Sequence, residues 1–129
     1  MRKFAIVVLA SSMLMCIACE RYSNYAAYQE ASRITGGGDP HAGIDAIRHY
    51  GCQGCHEIPG ITGARGVVGP PLTHMANRIY VAGQLPNTPE NLMHWIQRPH
   101  DILPHTAMPN MGVTEKDSRD IAAYLYTLK

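Results

Sequence analysis

Two neighbouring cysteines constrain this chain more than anything else in it. They sit in "YGCQGCHEIPG", residues 50–60, three positions apart, with His56 directly after the second. Two thiols that close, beside an imidazole, admit few chemistries. A redox dithiol uses the same spacing, but within a strand–helix–strand pattern that is missing here. A structural zinc needs four ligands, and no cysteine follows Cys55. A haem held by two thioethers needs two thiols on one side of a turn, and a histidine beside them for the iron. Cys52, Cys55 and His56 meet that last requirement with nothing left over.

The other two cysteines lie near the start. Arg2 and Lys3 precede a mostly apolar run from Phe4 to Ala18, which reads as an export signal and is short for a membrane span. The run ends in "LMCIAC" and then turns polar. Its end resembles a bacterial lipoprotein cleavage box, in which Cys19 becomes the lipidated first residue after the small Ala18. Cys16 is the weaker candidate, because Met15 before it is not small. An ordinary cleaved signal or an uncleaved anchor is the alternative. The reading is therefore a signal peptide at 1–18, export to the periplasmic side, and a membrane attachment through Cys19.

Charge excludes one function class. The 129 residues carry 11 Lys+Arg against 10 Asp+Glu, so there is no basic field for nucleic acid. Residues 19–38 read as a flexible tether, polar and ending in three consecutive glycines. Tyr22, Tyr25 and Tyr28 have the spacing of one helix face, or of chance in a linker.

Residues 39–129 should form the domain, all-α, with three main helices. The first opens on Asp39 as cap and Pro40 at the first helical position, places Gly43, Ala46, Ile47 and Tyr50 on one face, and stops at Gly51. The second opens at Thr88-Pro89-Glu90, carries Leu92, Met93, Trp95 and Ile96, and stops before Pro99. The third opens on Thr114 with Glu115 and Asp117 in its first turn, and repeats Ile121, Tyr124, Leu125 and Leu128 at helical spacing. The connections are rich in Pro and Gly, and no strand pattern is persuasive.

Three short helices and long loops enclose little apolar surface, and domains of this size are marginal. A Cys52–Cys55 disulfide would close too small a ring to help. A covalent haem would supply the missing centre. Iron that exchanges electrons is best held at both axial positions, and a methionine as second ligand raises the potential. Met108 and Met111, in "TAMPNMG", are the candidates, and one of them is expected to be packing.

At this point the chain resembles a known family. Residues 40–129 look like a class I cytochrome c, with Pro/Gly-rich loops around one covalent haem c. "ENLMHWIQRPHDILPHTAMPN" matches the family's approach to its methionine ligand without a gap, and Met108 falls on that ligand. The resemblance implies that Trp95 lies against the haem and that Thr106 bonds a propionate. It likewise implies that Pro70, in "GPPL", accepts the other N–H of His56 through its carbonyl. Arg78 resembles an arginine that neutralises a propionate, its alternative being a solvated charge. Tyr124 would pack near Gly43 and Ile47. The remaining histidines read as solvated or capping residues; His74 or His105 as sixth ligand would lower the potential.

Two departures stand out. The loop from His56 to Pro70 is longer than in the mitochondrial type, and the lysine ring for acidic partners is missing. "GPPLTHMANRIYVAGQLPNTPENLMHWI" is closer to the haem c domain fused to subunit II of some bacterial haem–copper oxidases. What the resemblance implies is a single-electron carrier rather than an enzyme. Its donor would be a quinol-oxidising complex and its acceptor a haem–copper oxidase. The alternatives are a haem subunit fixed in a larger oxidoreductase complex, or a pentacoordinate haem that binds gas or peroxide.

Overall fold

The computed structural model describes residues 21–129; the expected signal segment and Cys19 lie outside the described residues. Residues 21–34 are helical (α1), followed by α2 (Pro40–His49), α3 (Pro89–Gln97), the single turn α4 (Pro99–Ile102) and α5 (Glu115–Tyr126). Cys52–Gly54 and Met75–Asn77 are 3-10 turns. The chain is mostly helical, as its class predicts.

The three helices legible in the sequence begin at their predicted caps. The Asp39 carboxylate accepts the His41 N–H at 2.8 Å, Thr88 accepts the Asn91 N–H at 3.3 Å, and Thr114 accepts the Asp117 N–H at 3.1 Å. Each satisfies one of the amides that a helix start leaves without a partner.

α2 and α5 form the frame. They meet at Gly43, where an added Cβ would lie 2.1 Å from the Asp120 carbonyl oxygen and 3.0 Å from Tyr124 Cβ. Hydrogen bonds tie both ends of α2 to the same helix. The Asp39 N–H donates to Asp120 Oδ1 at 2.8 Å, and the Tyr50 hydroxyl donates to Asp117 Oδ2 at 2.7 Å. Asp120 is buried, and its other oxygen takes Lys116 Nζ at 2.6 Å. α3 joins through Gln97 Nε2, which donates to Ser118 Oγ at 2.9 Å. Ile47, Ile58 and Leu92 fill the space between, each fully buried, and burial of such a side chain stabilises by roughly 1.5–3 kcal/mol.

The structure corrects the tether. Residues 21–34 form a helix whose Ala31 is 1% exposed and part of the core. The Thr35 hydroxyl donates to the Ala31 carbonyl at 2.7 Å, and the Tyr28 ring lies 4.7 Å from that of His41. The glycines do not loosen this joint. Gly36 and Gly37 turn the chain at positive φ. Gly38 is pressed so close that a Cβ would sit 2.6 Å from the Arg119 carbonyl oxygen. Glycine's entropic cost is accepted here because no other residue fits.

Two more elements were not expected. Pro99 ends α3 but also starts α4, since a proline is tolerated in a first turn. Tyr80–Val81 and Leu85–Pro86 pair antiparallel as a hairpin too short to show alternation. The long loop after His56 is folded, not slack. Ile58, Ile61 and Ala64 are buried, and the Tyr124 hydroxyl donates to the Pro59 carbonyl at 2.6 Å.

Gly43→Ala should therefore cost about 1–3 kcal/mol or more through overpacking, seen as a lower urea midpoint at unchanged slope; an unchanged midpoint would refute the close contact. The Tyr50 hydroxyl, with the Thr114 hydroxyl beside it, also holds the Asp117 carboxyl below the usual carboxylate range. A lowered carboxylate adds stability that is complete above the unfolded value of about 3.9 and is lost as pH falls through the folded value. The deficit of Tyr50→Phe relative to the parent should be largest at neutral pH and shrink in acid. A deficit independent of pH would count against this bond.

Candidate haem site

The site is built where α2 ends. At Gly51 the chain leaves the helix, and the next residues wind into one 3-10 turn. The amides of Cys55 and His56 both donate to the Cys52 carbonyl, at 3.2 and 3.0 Å. Cys52, Cys55 and His56 are thus presented by a single local turn, each half-buried. Both cysteines are free thiols. Burial pushes the Cys52 thiol up, with the Cys55 thiol adding to the effect. A redox dithiol needs the opposite, a lowered thiol.

A second loop is laid along this turn by backbone bonds. The Gly69 N–H donates to the Cys55 carbonyl at 2.8 Å, and the Leu72 N–H donates to the Glu57 carbonyl at 2.8 Å. Gly69 passes so near the His56 ring that a Cβ would lie 2.3 Å from Cε1. The following residue supplies the contact that the resemblance implies, with His56 Nδ1 2.8 Å from the Pro70 carbonyl oxygen. A carbonyl can only accept, so the proton of the neutral ring sits on Nδ1, and Nε2 keeps its lone pair.

Arg78 follows the 3-10 turn at Met75–Asn77. Its Nη2 donates to the carbonyls of Pro71 and of Thr73, the latter at 3.1 Å. That uses two of the five guanidinium donors, leaving three for another acceptor. In the loop after α4, the Met108 N–H donates to Thr106 Oγ1 at 3.2 Å. The Thr106 hydroxyl accepts there, so its own proton remains free to be donated. Met108 is half-buried, whereas Met111 is 45% exposed. Trp95 is half-buried on α3, against the core.

The structure thus brings together Cys52, Cys55, His56, Pro70 and Arg78 as one group, and Thr106 with Met108 as another. Sequence reasoning missed Asn87, whose side chain bridges the Arg78 segment to α5. Its only signal is a polar residue beside two prolines in a loop.

Among the described residues, no group of three or more His, Cys, Asp or Glu side chains is placed to hold a metal ion. Two adjacent cysteines not paired with each other and one imidazole nitrogen with its lone pair are a donor set that fits a covalent haem. Among the described residues, no helix is long and apolar enough to cross a membrane.

Comparison with known proteins gives the family. A sequence model of the family described as cytochrome c matches residues 43–129. The chain is 35% identical over 88 residues to the cytochrome c oxidase subunit 2 of Alkalihalophilus pseudofirmus. The match takes in 67% of this chain and 25% of that protein, so the chain spans about a quarter of its relative's length. No solved structure gives a significant match. The chain belongs to the cytochrome c family, in its class I form, whose members bind haem c covalently and transfer electrons.

Proposed function

We propose that this protein is a single-electron carrier of a bacterial respiratory chain, holding one haem c through Cys52 and Cys55. His56 and Met108 would hold its iron in this reading. The observation that carries it is the His56 Nδ1–Pro70 bond of 2.8 Å on the turn that bears two free thiols. Such a bond orients the ring and raises the basicity of its other nitrogen toward a metal. When bound, the haem supplies the one-electron couple of its iron.

The chain's residues do the rest. The two cysteines would anchor the group, and His56 and Met108 would hold its iron. Arg78 and Thr106 have N–H and O–H donors to spare for propionates, and Trp95 would lie against the haem. We place the protein on the periplasmic side, exported and tethered through lipidated Cys19, with a quinol-oxidising complex as donor and a haem–copper oxidase as acceptor. A fixed haem subunit within a larger complex is the second reading, favoured by the fusion of a similar domain into an oxidase subunit.

A pyridine adduct typical of two thioethers should appear in the purified protein. The ferric form should show the red sulfur-to-iron band of His/Met haem, lost in Met108→Ala and kept in Met111→Ala. The reverse pattern would move the ligand to Met111, and a high-spin ferric parent would mean an open sixth position. Gly69→Ala, by pushing on the His56 ring, should weaken the Pro70 bond. The midpoint potential should then rise by some tens of millivolts, the order of a fraction of one hydrogen bond. A potential that stayed put or fell would contradict that role for Pro70.

A further inference from the structure

The Pro70 carbonyl has to be held in place, yet its neighbourhood is poorly equipped to hold it. Neither Pro70 nor Pro71 has an N–H, so backbone donors cannot pin the loop at this point. The nearest backbone anchors are the N–H groups of Gly69 and Leu72, on either side. The loop's own carbonyls are the remaining handles, and Arg78 takes two of them, those of Pro71 and Thr73.

Arg78 is itself held from behind. Asn87 Nδ2 donates to the Met75 carbonyl at 2.9 Å and to the Arg78 carbonyl at 3.0 Å. The Asn87 N–H donates to the Ile79 carbonyl at 2.9 Å. The amide cannot flip without loss, because its Oδ1 accepts the Tyr126 hydroxyl at 3.0 Å. Tyr126 is 8% exposed at the end of α5. Burial pushes its phenol up to about 12, so it remains a donor across the whole working range. A continuous line of hydrogen bonds therefore runs from α5 through Asn87 and Arg78 to the loop against His56.

We propose that Arg78 and Asn87 are positioning residues that hold the Pro70 carbonyl on His56 Nδ1–H, and through it set the donor strength of the ligand. This rests on reading His56 as the iron ligand. It differs from pairing Arg78 with a propionate, which acts on charge and leaves the His56 ring alone. The same guanidinium has donors for both, so the experiment must read the ring itself.

The measurement is NMR of the reduced, ¹⁵N-labelled holoprotein, following the His56 Nδ1–H shift and its exchange with water. Arg78→Gln and Asn87→Asp should each move that shift and speed exchange about tenfold, the order expected for loosening one hydrogen bond. Asn87→Asp keeps the acceptor for Tyr126 but cannot donate to the two carbonyls. Arg78→Lys should restore part of the protection, and Tyr126→Phe, the mildest change, should give a smaller effect in the same direction. A His56 N–H unmoved in folded Arg78→Gln and Asn87→Asp proteins would overturn the proposal. So would a potential that shifts in Arg78→Gln while the ring proton stays put, since that is the propionate role acting alone. A parent protein without the two-thioether pyridine spectrum would overturn the haem reading, and this inference with it.

Discussion

Everything in this domain is referred to the contact between α2 and α5. Gly43 lets the two backbones approach until a side chain would not fit, and Asp120 and Asp117 then capture the two ends of α2. α5 does more than cover the core. From one side of it Tyr124 reaches the Pro59 carbonyl and holds the loop after His56. From its end Tyr126 reaches Asn87 and steadies the segment that bears Arg78. The cysteine–histidine turn is attached to the other member of the pair, at the end of α2. One helix contact therefore sets the turn, and its partner sets both loops that close on it.

The chemistry of His56 follows from that arrangement. An imidazole has two nitrogens, and what one of them bonds sets how the other can act. Here the second is committed to a carbonyl on a loop with two successive prolines. Proline limits the conformations of that loop, and it also removes the amides that would anchor it. Carbonyl-directed bonds from a side chain answer that shortage.

What could be read from the sequence was what is local. Asp39, Thr88 and Thr114 announce their helices because a cap bonds within its own first turn. Cys52, Cys55 and His56 are legible for the same reason, being contiguous in the chain. The docking of residues 21–34 was not legible, because it depends on Gly38 fitting against Arg119 and Ala123 in a helix far along the sequence. Glycines that look like a hinge in isolation prove to be a close-packed joint. Asn87 was hidden likewise, since its partner Tyr126 lies 39 positions away. Arg78 was placed by resemblance to a propionate partner, and no pattern in the sequence pointed to the loop carbonyls that its Nη2 meets.

The contact between α2 and α5 also has a reach along the chain. The bonds that close it join residues 81 and 67 positions apart, so each closes a long stretch of chain and bears the entropy of doing so. The turn at Cys52–His56 needs only its own neighbours. The spacing of both thiols is therefore set by their neighbours in the chain, whereas the frame around them is set only by the whole domain.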